Sequence, residues 1–193
     1  NVGWARDTRD SAIYPTSGAT SRAFVEAGLP GGTLRFYKVN MQHQRYFPLT
    51  RDFTLFLNGD IGYGNGFGGK PLPFFRNYYV GGVSSLRGFY TATVGPKDAN
   101  GDPIGGEKKM VGSAELLFPF PGMRNDKSVR VSAFLDAGMA GPSYAFSDVR
   151  AAAGLAVLWV SPFGPIKLSA ADPFRSQSGD KKQSFQFTFG SQF

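Results

Sequence analysis

Val80-Gly81-Gly82-Val83-Ser84-Ser85-Leu86-Arg87-Gly88-Phe89-Tyr90 sits inside a glycine-rich connection that runs from about Gly64 to Lys108. A connection of that length without regular structure is uncommon in a compact domain unless it covers a site, binds something or is disordered. Disorder does not fit. Phe67, Leu72, Phe74, Phe75, Tyr78, Tyr79, Val80, Leu86, Phe89 and Tyr90 carry more aromatic and aliphatic surface than a disordered segment does. A loop of this kind has to pack against a wall, and Arg87, at its centre, then needs a partner for its charge.

Outward from the loop in both directions the chain alternates apolar and polar residues with period two, the pattern of strands with one apolar and one polar face. Upstream, Phe53, Leu55, Leu57, Ile61 and Tyr63 oppose Thr54, Asn58 and Asp60, and Tyr37, Val39 and Met41 alternate with Lys38, Asn40, Gln42 and Gln44. Ala23, Val25, Ala27 and Leu29 oppose Thr20, Arg22 and Glu26, and a short first run, Asn1 to Thr8, carries Val2 and Trp4 on one face. Downstream, Met110, Ala114, Leu116 and Phe118 oppose Ser113 and Glu115; Val129, Val131, Ala133, Leu135 and Met139 oppose Arg130, Ser132 and Asp136. Two more runs, Val149 to Trp159 and Ile166 to Ala170, lead to a last one carrying Phe185, Phe187, Phe189 and Phe193. Turn residues separate the runs at Ile13 to Gly18, Pro30-Gly31-Gly32, Pro48 to Asp52, Pro119 to Lys127 and Ser161 to Pro165.

Nine such runs predict an all-β fold, and two architectures compete for it. In a soluble sandwich the polar faces would be the solvated outside. The membrane barrel is preferred because runs of about ten residues match a tilted bilayer crossing, aromatics gather near run ends, and short and long connections alternate. Composition is compatible: 41% hydrophobic residues and a mean hydropathy of −0.20 are ordinary, but 19 Phe and 26 Gly are what short strands, tight turns and membrane girdles consume. The expected fold is an antiparallel transmembrane β-barrel with eight to nine strands in this chain. An odd run count, against the even number normal in bacterial barrels, predicts either the C-terminal part of a larger barrel or an eight-strand barrel with a loose first segment.

Several function classes are disfavoured. With no Cys and only His43, a disulfide scaffold, a metal site or a histidine-based triad is not expected, and no cofactor is. The net charge of +7 is scattered rather than grouped in a stripe, so no nucleic-acid partner is expected. The glycines from Gly62 to Gly69 lack the Lys-Ser/Thr of a phosphate loop, and Ser84 has Leu86 where a nucleophile elbow has its second glycine. No enzymatic activity is predicted.

Leu86-Arg87-Gly88-Phe89 within Gly81 to Ser85, the Phe-rich last run, Ser161-Pro162-Phe163-Gly164-Pro165, the Gly62 to Lys70 cluster and Gly95-Pro96-Lys97 together resemble the BamA family of outer-membrane β-barrel assembly factors over essentially the whole chain. The resemblance implies a sixteen-strand barrel preceded by periplasmic POTRA domains, with this chain (1–193) as its C-terminal region and the extracellular loop at about 64–108 folded into the lumen. It implies that Arg87 pairs with inner-wall carboxylates, and periodicity independently places Glu115 and Asp136 on polar faces next to the loop. It implies that the strand with Phe185, Phe187, Phe189, Gly190 and Phe193 borders a lateral gate, Gly190 weakening the packing there. The implied function is folding and insertion of β-barrel proteins in the bacterial outer membrane, with lipids, unfolded barrel substrates and assembly lipoproteins as partners. The alternative is a two-partner secretion or translocation pore sharing the arginine loop. Arg130, on a polar face but outside the motif, is expected to matter much less than Arg87.

Overall fold

The computed structural model describes residues 1–28, 34–122 and 128–190. Leu29, the Pro30-Gly31-Gly32 turn, part of the Pro119 to Lys127 turn and Phe193 lie outside the described residues. The strands are β1 (Val2–Asp7), β2 (Gly18–Ala27), β3 (Phe36–Pro48), β4 (Thr54–Gly66), β5 (Gly88–Phe89), β6 (Lys108–Pro119), β7 (Val129–Gly141), β8 (Arg150–Ser161), β9 (Gly164–Arg175), β10 (Lys182–Gln183) and β11 (Phe185–Phe189). Nine of them form one antiparallel sheet in the order β1-β2-β3-β4-β6-β7-β8-β9-β11, and the short β5 and β10 pair with each other. Every long strand neighbours its sequence successor, because the antiparallel meander needs only turns to connect it.

Register makes the alternation into two surfaces. Asn58 lies opposite Gln44 and Ser113, and Ser113 opposite Asp136, so the polar residues of successive strands share the concave face. The other face carries Val2, Trp4, Met41, Leu57, Ile61, Leu135, Leu155, Trp159, Phe174, Phe185, Phe187 and Phe189, all exposed. The buried set, in contrast, includes Arg87, Glu115, Asp136, Arg150 and Gln186. Charges inside and a continuous apolar band outside are untenable in water, where exposed apolar patches of this extent do not persist, and are what a bilayer requires of a barrel. At about 3.3 Å per residue, the long strands of 12–13 residues cross a hydrocarbon core of about 30 Å when tilted.

The alternation reading set the strands too short at several ends. β9 runs on to Arg175, past the expected stop at Ala170, through an irregularity opposite Ala151 to Ala153. The last run begins at Phe185 as β11 on β9, and just before it, across a break at Ser184, Lys182 and Gln183 form β10 on β5. Connections 8–17, 49–53 and 162–163 occupy one end of the sheet, and the long loop at 67–107 the other. Among the described residues β1 and β11 each have one unpaired edge.

Candidate functional site

The loop at 67–107 folds onto the concave face and supplies most of a small core: Val80, Leu86, Phe89 and Val94 pack with Val111, Ala140 and Ala152 of the wall. Its aromatics do not all go inside. Tyr78 and Phe89 are buried, whereas Phe74, Phe75 and Tyr90 remain exposed at the outer part of the loop. Tyr78 reaches across to donate its hydroxyl to the carbonyl of Val39 at 2.9 Å. Burial, with Tyr144 and Asp60 nearby, pushes that hydroxyl up to about 12, so it remains a donor throughout the physiological range. The glycine cluster at Gly62 to Gly69 serves this packing: the Tyr78 ring lies over Gly62, and Leu72 lies against Gly64.

Arg87 enters the wall with 4% of its surface exposed. Its Nε donates to Asp136 Oδ2 at 2.7 Å and its Nη2 to Asp136 Oδ1 at 2.8 Å, a bidentate pair, while Nη1 donates to Glu115 Oε2 at 3.1 Å. Nη2 also donates to Ser113 Oγ at 3.2 Å, and the backbone N–H of Arg87 to Asp136 Oδ2 at 3.2 Å. The carboxylates are held from behind, by Ser113 Oγ on Asp136 and Ser132 Oγ on Glu115, each at 2.5 Å. Lys167 Nζ stands 3.9 Å from Glu115 Oε1, so two cations face two carboxylates and the cluster is close to neutral. That balance, with the lone pairs occupied, is the condition under which buried ions are tolerated. The guanidinium carbon lies 3.4 Å from the centre of the Phe134 ring, which forms the floor of the site.

The neighbours of Arg87 in the motif have separate tasks. Leu86 is fully buried in the loop core. Gly88 has φ of +89°, and a Cβ there would meet Ala152 and Ala171 at 3.1 and 3.3 Å, so both backbone conformation and space favour glycine. Phe89, also fully buried, is bonded through its carbonyl to Gln186 Nε2 at 2.7 Å.

Sequence reasoning missed Phe134 and Gln186. Each had a signal. Phe134 is an aromatic on a polar face, opposite Gly154, and Gln186 is the polar residue between Phe185 and Phe187. Arg130 has more to do than expected: its Nη1 donates to the carbonyl of Pro15 at 3.0 Å, while Tyr14 Oη donates to the carbonyl of Ser128 at 2.9 Å, so the 8–17 connection is folded inward and tied to β7 and the connection before it. Beneath the motif a cavity of about 440 Å³ is lined by Arg22, Gln44, Ser84, Arg130 and Lys167. His43 lies on the outward side of β3, bonded to Ser21 Oγ at 2.8 Å, so it does not join Ser84. On β11, Phe185, Phe187 and Phe189 face outward, and Gly190, with φ of +96°, donates its N–H to the carbonyl of Pro165 at 3.0 Å. Among the described residues no group of three or more His, Cys, Asp or Glu is placed to hold a metal.

The geometry of the whole chain has known counterparts. A crystal structure of BamA from Haemophilus ducreyi lacking POTRA domains 1–3 superposes with a TM-score of 0.90 and 32% identity, covering 96% of this chain and 40% of that one. The outer membrane protein assembly factor BamA of Neisseria meningitidis serogroup B is 39% identical over 224 residues, covering 100% of this chain and 28% of that protein. The BamA of Nitratidesulfovibrio vulgaris is 29% identical over 198 residues, covering 98% of this chain and 24% of that protein. The chain therefore spans about a quarter of these two relatives' length. The Omp85 superfamily domain matches residues 1–193, end to end, and by that match, on a fold and a loop anchored as described, the chain belongs to the Omp85 superfamily.

Proposed function

We propose that residues 1–193 form the C-terminal transmembrane region of a sixteen-strand outer-membrane barrel that folds and inserts other β-barrel proteins. In this reading the connection at about 64–108 is an extracellular loop folded inward, Leu86 to Phe89 are its anchor, and Glu115 and Asp136 are the wall partners. The observation that carries the reading is the locked loop: Arg87, bonded to Asp136 and Glu115, fixes residues 86–89 on the inward face behind β11, in a chain similar to BamA over its length, and in this reading the outer edge of β11 becomes available when the barrel's seam opens. An unpaired strand edge offers a row of N–H and C=O groups that can template an incoming strand. A filled lumen does not serve bulk passage. The terminal segment with Phe185, Phe187, Phe189, Gly190 and Phe193 is then the gate side of the seam, with Phe185, Phe187 and Phe189 facing lipid.

The work done is physical rather than enzymatic. A substrate strand pairs transiently at the edge, satisfies its backbone there and enters the bilayer already hydrogen-bonded, which avoids the several kcal/mol that each unsatisfied backbone group would cost in hydrocarbon. Outer-membrane lipids and unfolded barrel substrates are the direct partners, and assembly lipoproteins act with the full-length protein. The test is reconstitution of that full-length protein in liposomes with a urea-unfolded barrel substrate. The expected result is faster appearance of heat-modifiable, folded substrate than in empty liposomes. No acceleration, together with steady conductance in planar bilayers, would replace this reading by a pore.

A further inference from the structure

Three consecutive residues of the loop touch the wall from β6 to the last strand. Arg87 is bonded to β6 and β7 through Glu115, Ser113 and Asp136. Gly88 lies against Ala152 of β8 and Ala171 of β9. Phe89 meets β11: its carbonyl accepts from Gln186 Nε2 at 2.7 Å, while the Gly88 N–H donates to Gln186 Oε1 at 3.3 Å. Gly88 N–H can only donate and the Phe89 carbonyl can only accept, so the amide orientation is dictated by its partners. Gln186 is 3% exposed and uses both ends of its amide as an extra peptide group would. The other inward residue of β11, Thr188, has a buried Oγ1 without a hydrogen-bond partner among the described residues, so the bond from β11 to the loop rests on Gln186.

β11 needs such a bond. Its ladder to β9 has five residue pairs, Phe185↔Ala170 to Phe189↔Ile166, against thirteen between β3 and β4. We propose that Gln186 is a positioning residue that couples the arginine loop to the terminal strand, so that docking of Arg87 on β6 and β7 holds β11 in register on β9. The consequence for activity rests on the assembly reading above: the docking state of the loop sets how readily the β11 edge opens to an incoming strand.

Hydrogen exchange of the full-length protein in lipid nanodiscs, read by mass spectrometry, tests the coupling. The measured peptides cover 185–190, with 18–27 of β2 as the reference. Gln186→Leu removes both bonds from β11 to the loop, leaving the Phe89 carbonyl to the Gly82 N–H at 3.1 Å, and is expected to raise exchange in 185–190 roughly tenfold or more while leaving β2 unchanged. Gln186→Asn keeps an uncharged amide but is one methylene too short to reach both partners, so an intermediate rise is expected, and this milder variant decides the matter if Gln186→Leu does not fold. Arg87→Ala, which touches nothing on β11, is expected to raise exchange in 185–190 as well. Combined with either Gln186 variant it should add less than the product of the single effects, because both changes cut one connection. Fully multiplicative effects, or an Arg87→Ala loop opened to protease with 185–190 unchanged, would overturn the proposal. The liposome assay separates the two readings: a protein that inserts no substrate but shows non-additive exchange loses the assembly function and keeps the coupling, and the converse result removes the coupling alone.

Discussion

The inner walls built by β2 to β4 and by β6 to β9 follow the same polar and apolar alternation, yet they are different materials. On the first wall the inward side chains are long and polar, Arg22, Gln42, Gln44 and Asn58, half-buried or exposed and bordering a cavity. On the second, apart from Arg130 and Lys167 at the same cavity, Ser132, Phe134, Asp136, Ala152, Ala156, Ser169 and Ala171 are all buried. The loop accounts for much of the difference. Where Gly88 lies against a wall, Ala152 and Ala171 leave room for its backbone, and where Arg87 lies, carboxylates replace amides because only a full opposite charge compensates a desolvated guanidinium. Alternation thus reports that a face is inward, while side-chain size reports whether something rests on it.

Mutations can break this contrast, beginning where it is strongest. Replacing Arg87 by Ala strands Asp136 and Glu115 beside Lys167 alone and should weaken loop docking by about 3–5 kcal/mol; limited proteolysis within 67–107 should show it as rapid cleavage. Arg87→Lys should recover little, because an ammonium cannot make the planar bidentate contact with Asp136. Next is Gly154→Val. A Cβ at Gly154 would lie 2.0 Å from the Ala170 carbonyl oxygen and 2.8 Å from the Phe134 ring. About 1–3 kcal/mol of overpacking is expected, read as a lower temperature for loss of the fast-migrating form on gels, whereas Gly59→Ala on β4, with nothing within 4 Å, should leave that temperature unchanged or slightly raised. Arg130→Ala should cost about 1–3 kcal/mol locally and speed exchange in 8–17 without exposing the arginine loop. The smallest effect belongs to the wet wall: Gln44→Ala should stay within about 0.5 kcal/mol in the same gel measurement.

The sheet was legible in the sequence because period two is imposed on every strand by backbone geometry, and nine strands follow from nine runs. Strand ends were less legible, since pairing of Lys108 or Arg175 depends on partners rather than on the local alternation. Of the site, Arg87 and the carboxylates at Glu115 and Asp136 could be read from charge on an inward face. Phe134 could not be distinguished from a stray aromatic without knowing that it faces Gly154 and a cation. Gln186 looked like any polar alternate of a membrane strand, because its task is set by residues 97 and 98 positions away.

That separation also orders events in time. A meander whose ladders join successive strands can grow hairpin by hairpin, and every closure except that of β6 on β4, which spans the 67–107 loop, involves a short stretch of chain and therefore a modest entropy loss. The arginine loop cannot join this zippering as it leaves β4, because β6 to β9 and β11, the surfaces it docks on, come later in the chain. Docking of residues 86–89 is thus a late step of maturation, dependent on a finished wall. Until it occurs, Glu115 has Lys167 beside it, whereas Arg87 and Asp136 await each other.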